Sequence, residues 1–171
     1  MPVDHLNIVE RKLIDNLRAG TYNTAAGTST AWSAADVTVF GQFPSTDETK
    51  YPAIITEMSA NGIEEQYFGQ NLTFGGSDTA AKGELYGVGF KIHLLVDRDS
   101  SITVDGPYKE RRLLNYLMLN CANVLMDVDY SATTTEVVER HFTGFTDIGY
   151  NPELEIWAAM ATMVIVFKNN R

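Results

Sequence analysis

The sequence has few of the residues that disulfide bridges, membrane anchors and nucleic-acid-binding surfaces require. Cys121 is the only cysteine among 171 residues, so neither an internal disulfide nor a thiolate-rich metal site can form. No stretch approaches the roughly 18 consecutive apolar residues of a membrane span, and the N-terminus lacks the apolar core of a signal peptide. Thirteen basic against 22 acidic residues give a net charge of −9, which argues against a nucleic-acid-binding surface.

Motifs of the common catalytic and cofactor-binding classes are also missing. No G-x-S-x-G, GK[ST] or paired-histidine zinc motif occurs. Residues 97–101 (DRDSS) resemble the start of a calcium loop, but Ile102 and Tyr108 stand where such a loop needs Gly and Glu. We therefore expect solvated turn carboxylates in 97–101, a buried structural role for Cys121, and a protein that is not an enzyme and uses no cofactor or metal.

Length and composition are those of one ordinary globular domain, with 44% hydrophobic and 20% charged residues. No internal repeat, charge block or second composition regime occurs, so we predict a single domain over residues 1–171.

Two segments have the apolar spacing of amphipathic helices. The first is 4–19, with Asp4 as N-cap and Gly20 as the stop. The second runs to about residue 127, with Pro107 in its first turn. The stripes that we expect to be buried are Leu6, Val9, Leu13 and Leu17 in the first helix, and Leu114, Leu117, Cys121 and Val124 in the second.

Strict alternation of apolar residues makes 84–97 the clearest strand, long enough to project beyond its own domain. Further strands are predicted at 36–43, 51–57, 63–68, 136–145 and 151–167, although Asn151-Pro152-Glu153 also fits a helix start. Asn61-Gly62 predicts a hairpin turn, and the segments 20–35 and 69–83 read as loops. We expect an α+β fold: a mainly antiparallel sheet with a long helix packed on one face, and an N-terminal helix.

This order of elements resembles the fold of phage tail terminator (tail completion) proteins. The likeness rests on the opening helix and on the segments YPAIITE (51–57), GELYGVGFKIHLLVDRD (83–99) and YKERRLLNYLMLNCANVLMD (108–127). It implies a structural virion protein that forms a ring, usually a hexamer, on the end of the tail tube. Such a ring stops tube growth and joins the tail to the head connector.

The resemblance also implies partners and a place of action. The partners are further copies of the chain, the tail tube protein, a head–tail connector or stopper protein and, in contractile phages, the sheath. DNA passes through the lumen without specific binding, and no membrane or cofactor is involved. Assembly takes place in the host cytoplasm, and the finished ring lies in the neck of the virion.

A cyclic ring brings two different patches of one subunit together, and the loops and the long strand supply candidates for them. The candidate interface residues are Trp32, Tyr67, Phe68, Phe74, Tyr86, Lys91, His93, Asp97 and Arg98. Alternative interpretations stay open: Trp32 folded back on the core, Tyr86 and Phe68 as core aromatics, and His93 as an ordinary, partly buried histidine.

Two other classes of function also stay open. The first is another phage part, namely a stopper, an adaptor or a tail tube protein, and a tube protein would polymerise without stopping at one ring. The second is a small α+β enzyme or binding domain, which a pocket with converging polar groups and a perturbed histidine would favour.

Overall fold

Helices and strands make up most of the part of the chain that the computed structural model describes, which is residues 4–23, 29–32, 37–45, 48–65, 72–73, 82–103, 107–127, 130 and 135–170. In chain order, the elements are α1 (His5–Ala19), β1 (Thr21–Asn23), β2 (Ser29–Ala31), β3 (Thr38–Phe40), β4 (Ala53–Glu65), β5 (Leu72–Thr73), β6 (Lys82–Asp97), β7 (Ser101–Thr103), β8 (Pro107–Lys109), α2 (Glu110–Asp127), β9 (Val137–Asn151) and β10 (Ile156–Asn170).

Five strands form one mostly antiparallel sheet in the order β3-β4-β6-β10-β9, and the short β5 pairs with the start of β6. Within this sheet, β3 runs parallel to β4, whereas β4–β6, β6–β10 and β10–β9 are antiparallel. The short strands form two further pairs, β1 with β2 and β7 with β8. The predicted mixture of helices with a mainly antiparallel sheet is confirmed.

The alternation in β6 separates a buried face from a mixed face. The buried face of β6 consists of Val88, Phe90, Ile92, Leu94 and Val96. These residues belong to the same hydrophobic cluster as the buried apolar residues of α1 and α2. The strand does not project as expected, because β10 pairs with it from Gly83 to Asp97 and β4 pairs with it on the other side. A Cβ at Gly89 would lie 3.1 Å from the Cβ of Ser59, so this glycine lets β4 come close.

Helix α1 matches its predicted bounds. The N–H of Asn7 donates to Oδ1 of Asp4 at 3.1 Å, which is the predicted N-cap. Gly20 ends the helix with an ordinary φ of −58° rather than a left-handed one. A glycine is still needed there, because a Cβ would lie 3.0 Å from Cγ2 of Val124 and 3.2 Å from Nε1 of Trp32.

Helix α2 begins later than predicted, because Pro107 lies in β8 and pairs with Thr103 of β7. Its buried residues are Leu113, Leu114, Leu117, Asn120, Cys121 and Leu125. Val124, expected in this stripe, is only half-buried. The amide of Asn120 donates to the carbonyl of Tyr116 at 2.8 Å, so this buried polar side chain is satisfied within the helix.

The hairpin turn predicted at Asn61-Gly62 is wrong, because β4 continues through it to Glu65. Its pairing with β6 shifts from Met58–Phe90 to Ile63–Val88, so the strand bulges where the turn was expected. The loop prediction for 20–35 is corrected by β1 and β2, and that for 69–83 by β5 and the start of β6. The remaining parts of both segments, and residues 66–68 of the predicted strand 63–68, lie outside the described residues.

The chain closes with the long hairpin β9–β10, which confirms a strand in the last segment. Asn151-Pro152-Glu153 starts a turn rather than a helix, and β9 extends beyond its predicted end to Asn151. Three register shifts interrupt the β9–β10 pairing, and each places one extra residue in β9. One of these bulges contains Gly144, whose φ is +80°, and another contains Asp147, whose φ is +51°.

Candidate interaction surfaces

Lys91 and His93, two of the predicted interface residues, share one carboxylate on the mixed face of the sheet. Oε1 of Glu57 lies 3.1 Å from Nε2 of His93 and 3.9 Å from Nζ of Lys91. The ring of Phe43, which is exposed, meets the His93 ring edge to face at 5.0 Å between centroids. His93 is thus a partly buried histidine that contacts a carboxylate and an aromatic ring.

Asp97 and Arg98 lie at the end of β6 and hold local structure. Oδ1 of Asp97 accepts hydrogen bonds from the hydroxyl of Ser100 and, at 2.8 Å, from its N–H. This arrangement is a turn carboxylate, as predicted. Burial raises the pKa of the Tyr51 phenol, and the nearby charge of Asp97 raises it further. Nη1 of Arg98 donates to Oε1 of Glu155 at 3.4 Å.

The aromatic residues among the predicted interface residues either pack on the core or lie outside the described residues. Trp32 is 1% exposed and belongs to the hydrophobic core, so it presents no surface to a neighbouring subunit and its interface assignment is corrected to a core role. Tyr86 is half-buried and stacks on Phe167 at 6.3 Å between ring centroids. Tyr67, Phe68 and Phe74 lie outside the described residues.

Two side chains with titratable groups, Cys121 and His5, are buried in the described segments. Cys121 is fully buried, as predicted, and burial raises the pKa of its thiol. His5 is buried and forms a hydrogen bond of 3.1 Å with Oγ1 of Thr135. Within the described segments, no group of three or more His, Cys, Asp or Glu is placed to hold a metal ion. No helix among them is long and apolar enough to cross a membrane.

The turn end of the β9–β10 hairpin, called the hairpin end here (residues 147–157), exposes large apolar side chains. Leu154 is 65% exposed, Ile148 48% and Tyr150 45%. The ring of Tyr150 packs on Trp157 at 5.0 Å between centroids. Exposed aromatic and aliphatic residues grouped in this way are typical of protein–protein contact sites.

Hydrogen bonds stabilise the turn of the hairpin end. Oδ1 of Asn151 accepts from the N–H of Glu153 at 3.0 Å and from the N–H of Leu154 at 3.1 Å. The Arg98–Glu155 ion pair ties the turn to the end of β6, and the guanidinium of Arg111 lies 6.0 Å from the Trp157 ring centroid. Leu154 therefore lies on a hydrogen-bonded turn.

A second apolar surface lies at the opposite end of α2. The groove between the last turns of α2 and the strands β9 and β10 encloses about 250 Å³, and we call it the α2–β9 groove. It is lined by Leu125, Met126, Arg140, His141, Phe142 and Met163. Met126 is 62% exposed, and Leu119, two helical turns earlier on the same side of α2, is 63% exposed.

Sequence reasoning missed both apolar surfaces. Leu119 and Met126 are seven residues apart, which is two helical turns, so both lie on the same side of α2. They form a second apolar stripe beside the buried one. Leu154, two residues after Pro152, lies in the segment 151–167, which was predicted as a strand, and the structure places it in a turn.

No protein-family model matches the chain, and a search of curated proteins finds no significant relative.

Proposed function

We propose that this chain is a structural virion protein of the tail terminator type. It forms a ring, hexameric by the resemblance, on the last ring of the tail tube, ends tube polymerisation and joins the tail to the head connector. Its partners are further copies of itself, the tail tube protein, a connector or stopper protein and, in a contractile phage, the sheath. Its place is the neck of the virion.

The observation that carries this proposal is the order of elements along the chain. An opening helix, short strands, the long alternating β6, the long α2 and the closing strands β9 and β10 follow one another as the resemblance implies. The segments that carry the resemblance form β4, β6 and α2. Two separate apolar surfaces, the hairpin end and the α2–β9 groove, are consistent with a ring, because a cyclic contact joins two unlike patches.

We further propose that α2 covers one face of the sheet, with α1 beside it. Strand pairing places Ile54, Leu94 and Ala159 side by side on one face, and all three belong to the cluster that holds the buried residues of both helices. The opposite face carries the half-exposed Lys91 and His93. Because the packing needs an apolar helix face, a Leu117→Asp variant that stays folded with normal stability would contradict it.

The net charge of −9 supports a lumen through which DNA slides without specific binding. This part of the proposal requires acidic side chains along the channel. A structure of the assembled ring would test it, and a basic or neutral lumen would contradict it.

The experiment that tests the proposed function is native mass spectrometry of the full chain, alone and mixed with tail tubes. We expect tube-bound protein in one closed ring with no further growth. Open-ended polymers would favour a tube protein instead. A small oligomer that ignores tubes would refute the terminator assignment.

A further inference from the structure

We propose that the recess between the start of α2 and the hairpin end binds a neutral sugar ring. This recess, called the hairpin recess here, encloses about 300 Å³ and is lined by Arg98, Glu110, Tyr150, Glu155 and Trp157. A volume at the lower end of the range of small-molecule sites suits a ligand of one ring with its substituents. The inference goes beyond the proposed function, because ring assembly needs no small-molecule ligand.

Two aromatic rings contribute to the hairpin recess. Tyr150 and Trp157 are directly paired residues of β9 and β10, so their side chains lie on the same face of the sheet. The two ring centroids are 5.0 Å apart and the ring planes are inclined by 41°. Trp157 is half-buried and packs against the core, whereas Tyr150 is 45% exposed. Tyr150 therefore supplies both ring surface and a hydroxyl to a ligand.

Two carboxylates reach the hairpin recess from residues with a left-handed backbone. Glu110, the first residue of α2, has a φ of 49°, and Glu155, in the hairpin turn, has a φ of 52°. Such conformations are unfavourable for residues other than glycine, and they cluster at ligand-binding sites. The carboxylate of Glu110 is exposed and has no hydrogen bond or ion pair with another described residue, so it is available to a ligand.

The charges around the hairpin recess balance, and this balance favours a neutral ligand. Glu155 accepts a hydrogen bond from Arg98 at 3.4 Å, and the guanidinium of Arg111 lies 6.0 Å from the ring centroid of Trp157. The two arginines oppose a cationic ligand. The carboxylates of Glu110 and Glu155 oppose an anionic ligand such as a phosphate.

A neutral sugar ring carries the groups that these side chains bind. The C–H groups on one face of a pyranose ring pack against an aromatic ring such as that of Tyr150. The hydroxyls at its edge donate to the carboxylates of Glu110 and Glu155 and accept from the guanidinium of Arg98. Hydrogen bonds to charged groups are the strong ones. A purely apolar ligand would leave these polar groups without partners.

Saturation-transfer NMR of the full chain tests the site. The probes are the methyl glycosides of glucose, galactose, mannose and N-acetylglucosamine. We expect at least one of them to bind with a dissociation constant of about 1 mM, which is the affinity usual for a ligand of about 13 non-hydrogen atoms. The 6-phosphate and the 2-amino derivative of the same sugar should bind more weakly than the neutral form, because each meets a like charge.

Two variants locate the bound probe. Tyr150→Ala removes the exposed ring, and Glu110→Gln removes the free carboxylate, so each should weaken binding about fivefold or more. Both residues are exposed, so neither variant should change the Tm. Ile148→Ala and Glu153→Gln are the matched controls, because they alter exposed residues of the hairpin end that do not line the recess. They should bind as the wild type does.

Three results would overturn the inference: no saturation transfer to any neutral glycoside, tighter binding of a charged derivative, or equal loss of binding in the control variants. If the protein still forms closed rings on tail tubes in that case, the proposed function stands and only this site is wrong. If a glycoside binds as expected but no ring forms, the site stands and the proposed function fails.

Discussion

The bulge at Gly144 allows a direct test of how β9 is built. Gly144 has a φ of +80°, and no atom would lie within 4 Å of an added Cβ, so Gly144→Ala introduces backbone strain without a clash. A left-handed conformation costs an L-residue about 1–2 kcal/mol. Alanine also restricts the unfolded chain, which offsets about 0.4–1 kcal/mol of that cost. We therefore expect Gly144→Ala to lower the free energy of unfolding by about 1 kcal/mol.

Gly149, in the same strand, is the matched control. An added Cβ there would also meet nothing within 4 Å, and its φ is not in the left-handed region. Gly149→Ala should therefore stabilise the fold by about 0.4–1 kcal/mol through the unfolded chain alone. The effect on the unfolded chain cancels between the two variants, so their difference, about 1–2 kcal/mol, measures the strain itself.

Urea unfolding followed by circular dichroism measures this difference in the free energy of unfolding. The difference corresponds to a gap of about 2–8 °C between the Tm values of the two variants for a chain of this size. Gly144→Asn should lie between Gly144→Ala and wild type, because asparagine tolerates the left-handed region better. Equal stability of the two alanine variants would refute the assignment of a strained bulge at Gly144.

Leu117→Asp should unfold the chain, because it places an unpaired charge at a position that is only 1% exposed, at a cost of several kcal/mol. The control Asn115→Asp, on the exposed side of α2, should change the free energy of unfolding by less than about 0.5 kcal/mol. Thermal unfolding compares the two variants. Cys121 should resist alkylation at pH 8 in native buffer and react fully in urea, because burial raises the pKa of its thiol. Rapid labelling of the native protein would contradict its buried position. Gly20→Ala should lower the free energy of unfolding by about 1–3 kcal/mol, because the new Cβ would lie 3.0 Å from both the carbonyl oxygen of Leu17 and Cγ2 of Val124. An unchanged Tm would show that α1 and α2 are less closely packed at this position.

The elements that could be predicted from the sequence are those whose apolar period is unbroken. β6 alternates from Tyr86 to Val96 and is paired on both sides, so its pattern directly reflects a buried face. Helix α1 has a clean stripe, a cap at Asp4 and a stop at Gly20, and its bounds were predicted correctly. Such patterns are local, and tertiary packing did not override them.

The elements that were mispredicted have bulges or pairings that local pattern does not encode. Asn61-Gly62 is a turn pair by propensity, yet β6 continues past it and holds it inside a bulged β4. Phe142 and Phe145, three residues apart, both pack against the core because the bulge at Gly144 resets the alternation of β9. Pro107 suits a helix start, but its pairing with β7 takes precedence.

The candidate site was predicted only in part, because the exposure of a side chain depends on its neighbours. Lys91 and His93 were correctly placed on a mixed face, but their common partner Glu57 lies on another strand. For Trp32 the sequence left two interpretations open, an interface residue and a loop aromatic folded back on the core, and the structure places it in the core. Ile148 and Leu154 carry no local pattern that distinguishes a core residue from an exposed one.

The most direct test of the account is the mass of the assembled protein, measured by native mass spectrometry with and without tail tubes. The proposed function predicts a closed ring of fixed subunit number on the tube, with no growth beyond one layer. Unlimited polymers, or a protein that stays unbound to tubes at every concentration, would contradict it.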